Sequence, residues 1–188
     1  MSLQTLIEYL KYKRKAKTRH GIHSPFVFSF IEDVLRSKTV ISRLQLEKFL
    51  PLDVLSLKGE PLQLLYRILS YYKINKVMSL VEEHGKVQMY LGNDHIGHEL
   101  QPTNYPADCI LMDVKDPHAW NALYHMYEHN LGADGVVVVT NIHQSKLHGE
   151  EWEKLYSNSA VRLSIDAFHV GLLFFKEDFK EKQHFMVK

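Results

Sequence analysis

Two apolar runs near the C-terminus, residues 161–165 and 170–175, are separated only by Asp166-Ala167-Phe168-His169. That gap is too short for the helical crossover that parallel neighbours need, so the two runs must pair as an antiparallel hairpin. Four more short apolar runs precede them, at 77–81, 87–91, 109–112 and 136–140. Most are rich in β-branched or aromatic residues, and helical patterns at 117–130 and 146–157 lie between several of them. Such alternation predicts an α/β protein with a parallel sheet. The continuous run Val136-Val137-Val138-Val139 has the character of a central strand covered on both faces.

The first half reads as helices. Leu3, Leu6, Ile7 and Leu10 share one helical face, and a dense basic stretch from Lys11 to Arg19 follows. Ser24-Pro25 starts a second helix, with serine as N-cap and proline in the first turn, and Phe26, Phe30, Ile31 and Val34 form its buried side. A weaker helix covers 42–49. Another begins near Pro61, with Leu62, Leu65, Ile68, Leu69 and Tyr72 as its apolar face. The stretch 92–107, with Pro102 and Pro106, reads as an irregular loop. The division that follows is an N-terminal helical extension over 1–58 and an α/β domain over 59–188.

Composition excludes several classes of function. A net charge of +1 argues against a globally electrostatic nucleic-acid binder, and no apolar run approaches the roughly 18 residues that span a bilayer. Neither nucleic acid nor a membrane is therefore expected as a partner. The first ten residues carry Glu8 and no small-residue cleavage site, so no signal peptide is expected. Cys109 is the only cysteine, and a reducing cytoplasm is the expected location.

Four segments carry a resemblance to a bacterial group of class I S-adenosylmethionine-dependent methyltransferases of the O-methyltransferase type. They are Arg19-His20-Gly21-Ile22-His23-Ser24-Pro25-Phe26-Val27, Asp108-Cys109-Ile110-Leu111-Met112-Asp113, Asn141-Ile142-His143-Gln144-Ser145-Lys146 with Glu151-Trp152, and the hairpin from Ile165 to Phe175. The resemblance implies a Rossmann-like, mostly parallel sheet in abridged form, ending in an antiparallel strand near 170–175. It also implies S-adenosylmethionine as cofactor, held by Glu82, Gly85, Asp94 and Asp113, with Asn141 and His143 as the catalytic or substrate-orienting pair.

Two departures accompany it. Each βαβ unit takes about 30 residues, and the interval between Val77 and Cys109 holds about half of the two units the family places there. The turn after residues 77–81 reads Glu82-Glu83-His84-Gly85, two carboxylates and one glycine where a cofactor loop needs close backbone approach. After the fifth family strand, Thr140-Asn141 replaces paired aspartates, and these are weaker cation ligands and poor bases. The sequence thus predicts a methyltransferase homologue with lost or weakened donor binding, retained as an interaction protein and dimerising through its helices. An active methyltransferase acting on a small molecule through a shortened site is the rival reading. A third is an adaptor for acidic partners or nucleic acid using Lys13, Arg14 and Lys15.

Several candidates have plainer alternatives. Glu82, Glu83 and Gly85 read as a solvated turn joining two strands rather than a ligand pocket, and Gly92-Asn93-Asp94 as a turn rather than a ribose site. Asp113 caps a turn or faces the pocket. His20 and His23 fix a turn rather than bind metal. His125 and His129 stand four apart on a predicted helix without a third ligand, and no metal site is expected.

Overall fold

The computed structural model describes residues 3–40, 57–74, 76–83, 86–92, 107–114 and 131–188. The helices expected at 42–49 and 117–130 and most of the 92–107 loop lie outside these residues. Seven described strands form one sheet: β1 (Val77–Glu83), β2 (Lys86–Gly92), β3 (Ala107–Asp113), β4 (Leu131–Thr140), β5 (Leu163–Asp166), β6 (Val170–Phe174) and β7 (Gln183–Met186). Their order is β2-β1-β3-β4-β6-β5-β7. Strands β1, β3, β4, β5 and β7 run one way, and β2 and β6 run against them. The protein is therefore an α/β fold on a mixed sheet.

Two details differ from the sequence expectation. β6 is antiparallel to both neighbours, yet it does not end the sheet; it is inserted between β4 and β5. The edge belongs to β7, which pairs in parallel with β5, Leu163 opposite Gln183 and Asp166 opposite Met186. Half of β7's four residues are polar, so it carries no apolar run by which to predict it.

Period-two alternation sorts the strands between two cores. Cys109, Leu111, Val136, Val138, Leu172 and Phe174 face one side. Ile110, Met112, Val137, Val139 and Leu173 face the other. The first core is covered by α2 (Pro25–Phe30) and α3 (Glu60–Tyr71). The second is covered by α4 (Lys146–Ser157) through Trp152 and Leu155. The result is a sheet with helices on both faces.

The start of α2 follows its sequence signal: the Ser24 hydroxyl accepts from Val27 N, and Pro25 stands in the first turn. The helix then widens to a π turn over Ile31–Leu35, where Arg36 N donates to Ile31 O at 3.0 Å. Val27, Phe30, Ile31 and Val34 are all buried against the sheet. α1 (Leu3–Lys15) behaves differently. Its aliphatic face, Leu3, Leu6, Ile7 and Leu10, is exposed, and the helix docks instead through Tyr12, with Ala16 buried just beyond its end. No helix among the described residues is long and apolar enough to cross a membrane.

Candidate functional site

Parallel strands aim their carboxyl ends at one edge of a sheet, where ligands of open α/β folds usually bind. Here β3, β4 and β5 deliver Asp113, Asn141 and Asp166 to that edge, and the turn after β4 adds His143. Asn141 Nδ2 donates to Asp113 Oδ2 at 2.5 Å, so the structure brings two of the expected residues into direct contact. Asn141 has φ +61°. That is a left-handed backbone which asparagine tolerates better than most residues, and it turns the chain sharply out of β4. Its main-chain N–H donates to His169 O at 2.8 Å, tying this turn to the β5–β6 connection.

The centre of the edge is Asp166, which sequence reasoning treated only as part of a hairpin. It is buried, and a buried carboxylate needs partners to offset its lost hydration. Three donors converge on it: His143 Nε2 at 2.7 Å and Trp152 Nε1 at 3.2 Å on Oδ2, and Phe168 N at 2.9 Å on Oδ1. Trp152 Nε1 and Phe168 N can act only as donors to this carboxyl group, and His143 Nε2 joins them in the tautomer that carries its proton there. The available sequence signal was an aspartate at the end of an apolar strand; the Phe168 partner is two residues on, and His143 and Trp152 come from other segments.

His143 is oriented as well as paired. Its ring stacks on Phe168 with centroids 5.5 Å apart and planes 14° from parallel, and Tyr12 closes its flank at 5.6 Å. Its other nitrogen, Nδ1, abuts α4 at Gly149, where a Cβ would stand 3.6 Å away. A carboxylate-held imidazole is the geometry of a general base, but a base needs open approach to a substrate proton. In this protein the ring is wedged between α1, α4 and the β5–β6 turn. The arrangement ties three segments together, with the imidazole 15% exposed.

Tyr12 completes the cover. Its hydroxyl is placed to donate to the main-chain carbonyls of Asp166, at 2.9 Å, and of Val187. Burial, reinforced by the nearby Asp166 charge, pushes its phenol well above the ordinary value, so it remains a neutral donor. Tyr9 packs edge-on against Phe168 at 4.9 Å, and Thr5 donates to Gln144 O at 3.2 Å. Helix α1 therefore lies across the carboxyl ends of β4 and β5.

The remaining sequence candidates are more dispersed. Glu82 lies in β1, opposite Val87 of β2 in the hairpin register. Gly85 and Asp94 lie outside the described residues, as do His125 and His129. Among the described residues no group of three or more histidine, cysteine, aspartate or glutamate side chains is arranged to hold a metal ion. Cys109 is fully buried, and burial raises its thiol far above the usual range. No family model, curated protein or solved structure matches this chain.

Proposed function

We propose that this chain is a methyltransferase-like α/β scaffold which has lost its methyl-donor site and acts as an interaction protein. One observation carries the reading. β1 turns directly into antiparallel β2, Glu83 opposite Lys86, where the family resemblance calls for a strand, a glycine loop and a helix N-terminus. The paired Asp113 and Asn141, and the cover of Tyr12 over β5, support the same reading. Among the described residues, Asp113 pairs with Asn141 and Asp166 with His143, Trp152 and Phe168.

The interacting surface in this proposal is the outer face of α1. Leu3, Leu6, Ile7 and Leu10 are exposed there, with Lys11, Lys13 and Arg14 beside them, while Glu8 is occupied by Lys11 at 2.8 Å. Pairing this face with a second copy in parallel sets the basic ends together, and pairing it antiparallel sets Arg14 against Leu3. The charge pattern instead suits a partner segment bearing aliphatic and carboxylate side chains.

Calorimetric titration with S-adenosylmethionine and S-adenosylhomocysteine up to millimolar ligand tests the first half, with Glu82→Ala for comparison. No saturable heat is expected; saturable binding weakened by the substitution would overturn the proposal. Sedimentation of the pure protein tests the second half. A monomer is expected, and a dimer dispersed by Leu6→Glu would assign the face to self-association.

A further inference from the structure

At the opposite, amino edge of the sheet lies a cleft of about 400 Å³. Its walls are four aromatic side chains from four separate segments: Phe26 of α2, Tyr72 just past α3, Phe174 closing β6, and Phe179 in the following turn. The rings meet mainly at steep angles. Phe26 and Phe174 have centroids 5.1 Å apart at 87°, Phe26 and Phe179 5.3 Å at 72°, and Tyr72 and Phe174 5.7 Å at 57°. Asp134, Lys176 and Asp178 also line it. Two carboxylates and one ammonium leave this group one negative charge in excess.

We propose that this cleft binds a small organic ammonium ion, its apolar body against the aromatic wall and its charge at the carboxylates. The proposal does not depend on the fate of the methyl-donor site. Where a ring meets the ligand with its face, its negative quadrupole potential and the carboxylates select the same sign of ligand. A volume of this size accepts a molecule of roughly ten to twenty heavy atoms. The protein itself shows that an alkylammonium fits between the carboxylates: Lys176 Nζ sits 2.6 Å from Asp134 Oδ1 and 2.9 Å from Asp178 Oδ2. Hydrogen bonds to these two aspartates hold that ammonium above its ordinary range. Lys176 is thus an internal competitor, whose ammonium a ligand must displace from the two carboxylates.

Three ligands of one shape and different charge test the site by amide-shift titration: 2-phenylethylammonium, 2-phenylethanol and 3-phenylpropionate. One cation–π contact with one partly exposed ion pair supports roughly a tenfold preference for the ammonium over the alcohol. The carboxylate is expected to bind more weakly than either. Lys176→Gln, which removes the competitor, is expected to tighten ammonium binding several-fold, and joint Asp134→Asn and Asp178→Asn to weaken it. Phe26→Leu keeps the apolar wall but removes a π face, so it is expected to lower the ammonium-to-alcohol ratio. All three mouth residues are substantially exposed, and their variants are expected to melt with the parent. Equal binding of ammonium and alcohol, tighter binding of the carboxylate, weaker ammonium binding in Lys176→Gln, or no shift at the cleft residues would each overturn the proposal.

Discussion

Gly171 lies in β6 between Val139 of β4 and Asp166 of β5, and its missing side chain is the space that Trp152 fills. A Cβ built there would stand 2.5 Å from Trp152 Cη2, 2.7 Å from Cζ3 and 2.8 Å from Cζ2. Carbon atoms pack at about 3.5–4.0 Å, so the indole must retreat by roughly 1 Å. The ring is 1% exposed and anchored through Nε1 to Asp166, so it has little room to do so. Overpacking of this kind costs about 1–3 kcal/mol, and a lost hydrogen bond to a charged acceptor adds about 1.5–3 kcal/mol. Relief of glycine's entropy cost in a strand returns only about 0.5–1 kcal/mol. The clash wins, and Gly171→Ala is expected to destabilise the protein by about 2–4 kcal/mol. Urea unfolding in a Trp120→Phe background reads this from Trp152 alone, with a lower midpoint and red-shifted native emission. In a Trp152→Leu background the same substitution is expected to cost almost nothing, which gives a coupling energy of about the full effect. A neutral or stabilising Gly171→Ala, or an undiminished cost once the indole is gone, would refute the packing argument. Gly149→Ala is the matched control: its Cβ meets only His143 Nδ1 at an ordinary 3.6 Å, and α4 is expected to gain about 0.5–1 kcal/mol.

Other consequences are open to measurement. Asp166→Asn sets an amide donor among three donors, at about 1–3 kcal/mol for each one left unpaired, readable as a lower urea midpoint. Tyr12→Phe deprives the buried carbonyls of Asp166 and Val187 of their shared donor; limited proteolysis is expected to cut within α1 well before the rest of the chain opens. His169 and His184 are both held below their ordinary value of 6.5, chiefly by burial, so the unfolded chain binds more protons than the folded one on acidification. Their contribution to stability is complete above about pH 6.5 and is lost as pH falls through the lower folded values. Melting temperature is therefore expected to drop from pH 7.5 to 5.5, and less so in His184→Gln.

Local rules account for the parts of this fold that could be read in advance. The β5–β6 hairpin follows from a connection too short for any alternative, and α2 from a serine cap with its proline. α1 shows where such rules stop. Its periodicity correctly marks Leu3, Leu6, Ile7 and Leu10 as one face, but periodicity does not say which face docks. Tyr12 wins because its hydroxyl finds two main-chain carbonyls that only the completed sheet brings together. The same holds for the candidate site. The positions of Asn141, His143 and Asp113 near strand ends could be read in the sequence, and the Phe168 contact of Asp166 is a local turn, whereas its pairing with His143 and Trp152 joins segments that no spacing rule connects. β7 is invisible in isolation because its pairing with β5, not its composition, makes it a strand.

The way α1 is fastened sets an order on biosynthesis. Tyr12 reaches Val187 across 175 residues of chain, Lys17 N donates to Met186 O, and Lys188 N donates back to Lys17 O. α1 is made before β7, so it has no seat until that strand has followed. During translation its tyrosine and aliphatic faces are both uncovered, and a nascent chain halted before Gln183 presents them to chaperones and proteases. Loss of the β7 segment should therefore be felt far from β7 in the chain, as a released α1.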